Sequence, residues 1–280
     1  MEWFDAFILG LVQGLSEYLP VSSSGHLQIF REILGVELPN DVSMEFDIIL
    51  HAATVLSTIV VLWPMFKRLC TSFFTFRRDN DFYYVCKILL SCIPVAIVGF
   101  CFKDLVEDTF NNLTVVGICL CVTALLLLFA YLSDHRKEKG GKIVATSPAK
   151  GRDIGWLDAF IIGCGQAVAV LPGLSRSGTT IATGIIIGDR RDKVASFSFL
   201  MVIIPILGEA LLDVVKMIKE PAGATPGVEI SVPVLFIGFI TSFVVGVCAC
   251  KWMLSLVNRG KLYWFAVYCV IMGVICLLWG

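Results

Sequence analysis

Twice in this chain an apolar helical run is stopped by a proline, passes through a knot of hydroxyls and glycine, and resumes as a second apolar run. The first break runs from Gln13 through Glu17 and Pro20 to Ser22, Ser23, Ser24, Gly25 and His26. The second runs from Gln166 through Pro172 and Gly173 to Ser175, Arg176, Ser177, Gly178, Thr179 and Thr180. Residues 3–19 are cut short of the roughly 20 apolar residues that a membrane crossing needs, and 26–36 is shorter still. The pattern predicts re-entrant pairs of half-helices, tolerated only where protein or a water-filled cavity surrounds the break. The restarted half-helix leaves its first N–H groups without intrahelical partners, and with the helix dipole these make an anion site. Phosphate is the obvious guest.

A break of this kind has meaning only inside a bilayer, and the composition supplies one. The 280 residues are 57% hydrophobic and 16% charged, with mean hydropathy +0.85, against roughly 25% charged residues in a soluble domain. Full-length apolar spans are predicted at about 46–65, 82–102, 112–132, 194–217, 231–252 and 262–279. The expected fold class is an all-α polytopic integral membrane protein with six transmembrane helices plus two re-entrant broken-helix pairs. A net charge of −1 with no basic face excludes nucleic acid as a partner. Met1 to Asp5 lacks the positive region of a secretory signal, so the first segment is expected to stay in the mature protein. Most of the eleven cysteines fall in apolar spans, as in Cys119 and Cys121, and read as small buried hydrophobes. With three histidines and no Cys-x-x-Cys pair, a zinc site is not expected.

The two breaks belong to an internal repeat. Asp5 to Gln13 aligns with Asp158 to Gln166, Leu19 and Pro20 with Leu171 and Pro172, and Ser22 to Gly25 with Ser175 to Gly178, given one gap on each side of the proline. Three spans between the copies put the second on the opposite side of the membrane, so the repeats are expected to be inverted, over 1–135 and 155–280 of a single membrane domain, 1–280. Loop charges run basic at Lys67, Arg68, Arg77 and Arg78, acidic at Asp104, Glu107 and Asp108, then basic from Arg136 to Arg152. The positive-inside rule therefore places 66–80 and 133–154 in the cytoplasm and the N-terminus outside. Arg190, Arg191, Lys193, Lys251, Arg259 and Lys261 fall on the cytoplasmic side and Pro221 to Glu229 outside, with Lys216 and Lys219 the main discord. The polar stretch from Gly140 to Gly151 reads as the linker.

Several residues at the breaks carry chemistry that packing does not explain. A carboxylate at membrane depth costs roughly 2.5–3.5 kcal/mol, so Glu17 requires a partner or a wet cavity, and Gln13 shares its helix face. A serine N-cap accounts for one hydroxyl, but not for three and an imidazole. Arg176, set between Ser175 and Ser177, has the planar fork that matches two phosphate oxygens. The copies are unequal: Glu17 falls near the apolar Val170 and His26 aligns with Thr179, so acid and imidazole come from one copy and the guanidinium from the other. Asp47 and His51, one turn apart, are further candidates to line the same cavity, with Glu209 ranked below them.

On these residues the chain resembles the undecaprenyl-diphosphate phosphatase family of bacterial membranes, also known for bacitracin resistance. The motifs are (Glu/Gln)-x-x-x-Glu at Gln13 to Glu17, Pro-Val-Ser-Ser-x-Gly-His at residues 20–26, and Pro-Gly-x-Ser-Arg-Ser-x-x-Thr at residues 172–180. The resemblance implies hydrolysis of a C55 polyprenyl diphosphate lipid to the monophosphate in the bacterial inner membrane, for reuse in cell-wall synthesis. The site is then expected to face the extracytoplasmic side. Glu17, Ser23, His26 and Arg176 are the expected catalytic group: Ser23 is the favoured nucleophile with His26 as its base, direct attack by His26 or by an activated water is the alternative, and Glu17 acts as base, orienter or metal ligand. Ser22, Ser24, Gly25, Ser175, Ser177, Gly178 and Thr180 are expected to bind phosphate, and Gln13, Gln166, Asp47 and His51 to support them.

A diphosphate monoester carries about −2 to −3, while Arg176 and two helix dipoles of roughly +0.5 each supply about +2. Mg²⁺ or Ca²⁺, held by Glu17 with Gln13, would cover the difference; Gln13 in place of a second Glu weakens that site. The rival expectation is a lipid flippase or secondary transporter, since inverted repeats of broken helices are common in transporters. Small residues at Gly10, Gly14, Gly163 and Ala167 allow close helix contacts, within one chain or between two in a homodimer.

Overall fold

The computed structural model describes residues 1–101, 112–137, 143–145, 151–219 and 230–279. The first break separates α1, Trp3–Ser16, from α2, Ser23–Leu34; the second separates α7, Trp156–Val168, from α8, Arg176–Ile186. Between the breaks come α3 (Asn40–Val61), α4 (Trp63–Phe74), α5 (Asn80–Cys101) and α6 (Leu113–Asp134). After them come α9 (Arg191–Met201), α10 (Ile203–Lys219), α11 (Val232–Asn258) and α12 (Tyr263–Trp279). A short antiparallel hairpin, β1 (His135–Lys137) on β2 (Ile143–Ala145), stands where the sequence suggested only a linker. The acidic Asp104, Glu107 and Asp108, the basic Lys139, Lys142 and Lys150, and the Pro221 to Glu229 segment lie outside the described residues, as do the side chains of Arg136, Glu209, Lys216 and Lys219.

The chain is a multi-pass membrane protein. Five described stretches are long and apolar enough to cross a bilayer: Val42–Val61, Asn80–Cys101, Leu113–Asp134, Arg191–Leu212 and Val232–Asn258. The sixth expected span, α12, is apolar but 17 residues long. Two expected spans are shaped differently from their apolar windows. The window at 46–65 ends as a helix at Val61 and turns at Leu62 into α4, because Pro64 lacks an N–H and its ring cannot continue the preceding helix. The window at 194–217 divides at Val202, three residues before Pro205.

The opening half-helices cross into the opposite half of the chain: α1 packs along α11, and α7 packs along α5. Glycine makes both approaches close. A Cβ on Gly10 would lie 2.6 Å from the Gly238 carbonyl oxygen, and one on Gly163 would lie 2.3 Å from that of Ser91. Gly14 meets Ser242 in the same way, so these small residues are consumed by contacts within one chain. Both half-helices also start alike: Asp5 Oδ2 accepts from the Glu2 N–H at 2.7 Å, and Asp158 Oδ2 accepts from the Gly155 N–H at 2.8 Å. The span α6 packs on α12 and on α8, and α3 packs on α11, which closes the bundle around the two breaks.

At the far end of α7, Arg152 ties the linker to the turn before α9. It reaches Asp158 at 2.5 Å and Asp189 at 3.3 Å, while its backbone pairs with Gly188 and Arg190. Arg191 and Asp134 pair nearby at 3.0 Å. Burial, and then the Asp158 carboxylate beside it, push Asp189 up to about 6.

Candidate active site

Each break turns the chain by a local device. In the first, Ser22 takes a left-handed φ of 71°, a strained conformation for a residue with a side chain, and its Oγ caps α2 by accepting from the Gly25 N–H at 3.4 Å. In the second, Gly173 takes the positive φ, 86°, and Ser175 Oγ caps α8 by accepting from the Gly178 N–H at 3.0 Å. Gly173 is required for a second reason, because a Cβ there would lie 2.5 Å from the Val116 carbonyl oxygen of α6. Thr123 of α6 pins this break, accepting from the Ser175 N–H at 3.1 Å. The breaks touch one another: Ser177 Oγ donates to the Leu19 carbonyl at 3.3 Å, and Gly25 faces the Cα of Gly173.

This contact aims both helix N-termini at one carboxylate. Glu17, at the C-terminal end of α1, has a side chain only 7% exposed. Ser23, first residue of α2, donates its hydroxyl to Glu17 Oε2 at 2.7 Å, and Gln13 Nε2 donates to the same oxygen at 3.0 Å. Arg176, first residue of α8, brings Nη2 to 3.5 Å from Glu17 Oε1. His51 of α3 completes the ring, with Nε2 at 3.7 Å from Glu17 Oε2 and 3.4 Å from Arg176 Nη2. Its Nδ1 lies 2.8 Å from the Asp47 carbonyl, which can only accept, so the proton sits on Nδ1 and Nε2 turns to the site. One acid, one hydroxyl and one guanidinium thus meet within hydrogen-bond or ion-pair distance inside a membrane protein.

The other expected residues separate into groups. His26 is adjacent in sequence but turned away from Ser23: its Nδ1 is 2.8 Å from the Ser22 carbonyl and its Nε2 is 2.7 Å from the Tyr268 hydroxyl. The Ser23 hydroxyl is donated to Glu17 here, while both ring nitrogens of His26 are engaged by the Ser22 carbonyl and the Tyr268 hydroxyl. The Asp47 side chain pairs with Arg31. Ser22 and Ser175 serve as caps, and Ser24 lies 3.4 Å from Ser22 Oγ. Thr180 bonds back to the Arg176 carbonyl at 2.8 Å and to Ser198 at 2.5 Å, so its hydroxyl positions α8. Behind the Glu17 and Arg176 pair lies a cavity of about 20 Å³, lined by Thr58, Gln166, Ser177, Thr180 and Ser198 among others. That is room for one water, and among the described residues neither amide atom of the buried Gln166 has a partner.

Thr123, Ser198 and Tyr268 hold the site and were not singled out in the sequence. None of them belongs to either broken-helix motif, and the role of each depends on a partner at least 18 residues away.

Fold and site together define a polytopic helical membrane protein with a buried acid, hydroxyl and guanidinium assembled between two interrupted helices. The profile of the family described as bacitracin resistance protein BacA matches residues 6–275, and the chain belongs to that family. It is 50% identical over 279 residues to the undecaprenyl-diphosphatase of Bacteroides fragilis, covering 99% of this chain and 98% of that one. The undecaprenyl-diphosphatase of Parabacteroides distasonis is 49% identical over 278 residues, 98% and 97% of the two chains. That of Christiangramia forsetii is 40% identical over 282 residues, 100% and 99%.

Proposed function

We propose that this protein hydrolyses undecaprenyl diphosphate to the monophosphate and inorganic phosphate, returning the carrier lipid to cell-wall synthesis and conferring bacitracin resistance. Full-length relatives named for this activity favour hydrolysis over the flippase or transporter reading. The observation that carries the mechanism is the Ser23 hydroxyl held at 2.7 Å on Glu17, with Arg176 on the same carboxylate.

Ser23 Oγ attacks the terminal phosphorus, its proton passes to Glu17, and the bond from that phosphorus to the bridging oxygen breaks. Polyprenyl monophosphate leaves, taking the proton. Water then attacks the phosphoserine, giving inorganic phosphate and restoring the Ser23 hydroxyl. Arg176 and the first N–H groups of α2 and α8 neutralise charge on the transferring group, and His26 and His51 bind around it. Gln13 orients Glu17.

A divalent cation, Mg²⁺ or Ca²⁺, has a sparse but usable donor set here: the Glu17 carboxylate and Gln13 Oε1, a buried oxygen without a partner among the described residues. Phosphate oxygens would complete its shell, and the ion would supply positive charge to the leaving phosphate. Full turnover in excess chelator with no bound metal would remove it.

The site faces the extracytoplasmic side of the bacterial inner membrane, and the chain is two inverted repeats, 1–135 and 155–280, giving six spans around two re-entrant pairs. The exchanged packing of α1 on α11 and α7 on α5 supports this reading.

The test is to trap labelled enzyme from terminally labelled substrate. An acid-stable phosphoserine absent from Ser23→Ala is expected; an acid-labile adduct that persists in Ser23→Ala would move the attack to a histidine.

A further inference from the structure

The last span contributes a contact to the site that neither broken-helix motif contains. Because His26 Nδ1 faces the Ser22 carbonyl at 2.8 Å, that nitrogen carries the proton and the neutral imidazole has a bare lone pair on Nε2. The Tyr268 hydroxyl of α12 lies 2.7 Å from Nε2 and therefore donates to it. The phenol ring also stacks on the imidazole, with centroids 5.6 Å apart and planes at 19°. Exposure differs sharply across this pair: His26 is 4% exposed, while Tyr268 is 39% exposed on the same helix as the outward Trp264, Val267 and Ile271. Tyr268 is thus the half of the pair on the outward apolar face of α12, and it lies over the half that is buried on the helix of Ser23.

We infer that Tyr268 gates His26 from the lipid side. In the resting protein its hydroxyl satisfies Nε2, which would otherwise be a buried acceptor without a partner. A lipid diphosphate arriving from the bilayer displaces that hydroxyl, and a protonated phosphate oxygen shares its proton with Nε2, pairing imidazole and phosphate. The Tyr268 hydroxyl then turns to the headgroup region and makes no contact with the phosphate. No bond to phosphorus changes in this step. It rests on the reading of the site as a diphosphate site, but not on which group attacks.

Tyr268→Phe keeps the stacked ring and removes the competing hydroxyl. KM for undecaprenyl diphosphate should fall about 3- to 10-fold, the worth of one neutral hydrogen bond, with the change carried by KM more than by kcat. Inorganic pyrophosphate, used as a competitive inhibitor, should tighten by a similar factor. The Tyr268→Phe and His26→Ala double variant should bind pyrophosphate no better than His26→Ala alone, since the gain runs through Nε2. A fall in kcat at unchanged KM would overturn gating in favour of a role in orienting His26 for the reaction, and no change in either constant would make the contact incidental. Pyrophosphate failing to compete in every variant would instead overturn the diphosphate reading of the site. Thermal unfolding in the same detergent confirms that the variants are folded.

Discussion

Replacing Glu17 by Gln separates the reaction from the architecture. The amide keeps the size of the side chain and can still accept from Ser23 and Gln13, which lie at 2.7 and 3.0 Å, but it cannot take a proton. A positioned general base contributes about 10²- to 10⁴-fold, so kcat should fall by that factor, corresponding to about 3–5 kcal/mol of transition-state stabilisation. KM should not rise, because Arg176 is released from its carboxylate at 3.5 Å and is free for phosphate. Stranding one member of a buried ion pair can cost about 3–5 kcal/mol, but the Arg176 side chain is 24% exposed and keeps His51 at 3.4 Å. A loss nearer 1 kcal/mol is expected, about 2–4 °C in Tm. The assay is phosphate release from undecaprenyl diphosphate by detergent-purified protein, beside thermal unfolding in the same micelles. A variant within tenfold of normal turnover yet many degrees less stable would refute the argument and leave Glu17 as a structural tie between the breaks.

Arg176→Lys retains the charge and loses the fork, so kcat/KM should drop about 10- to 100-fold, with part of the loss in KM; near-normal kinetics would point to a diffuse electrostatic role. Gly163→Ala should destabilise the protein by about 1–3 kcal/mol, since its Cβ would lie 2.3 Å from the Ser91 carbonyl, whereas Gly99→Ala, with open space around it, should be neutral or stabilising by up to about 1 kcal/mol. Equal melting temperatures for the two would contradict the close packing of α7 on α5. Asp189, raised from 3.8 to about 6 when folded, makes the folded chain bind more protons between those values, so its contribution to stability is present below about 4 and lost as pH rises through 6. Melting temperature should therefore fall between pH 5 and pH 7.5, and the fall should flatten in Asp189→Asn.

The parts of the fold legible in the sequence were those with a local cause. Proline, a capping serine and glycine within a few residues of each other leave few ways to continue a helix, so both breaks could be placed from sequence. A hydropathy window averages over 18 or more residues and is blind to Pro64, which is why the apolar stretch at 46–65 reads as a single span where the helix ends at Val61 and a second one starts at Trp63. The site divides in the same way. Glu17 and Arg176 stand out because an ionised group at membrane depth demands a reason, and Ser23 because it begins a half-helix. His51 reads from sequence as a supporting residue only, because nothing local says which way a helix face is turned, yet it lies beside both charges. Sequence proximity pairs Ser23 with His26, but the imidazole is taken up by the Ser22 carbonyl and by Tyr268, 242 positions away, and the Ser23 hydroxyl is donated to Glu17.

Why the two copies differ follows from what each break can offer. Ser23 and Arg176 are equivalent positions, each the first residue of a restarted half-helix, and both reach the single carboxylate of Glu17. Two serines there would leave the phosphate with only helix dipoles of roughly +0.5 charge each, too little for a diphosphate. Two arginines would supply charge and no nucleophile. One of each satisfies both needs, and the shared carboxylate then couples them. In the proposed reaction a phosphate that recruits Arg176 takes it from Glu17, so the carboxylate loses its cation while it still holds the Ser23 hydroxyl. The proton transfer from Ser23 becomes less unfavourable at the moment a phosphate is present to be attacked, which protects the resting site from carrying an alkoxide inside the membrane.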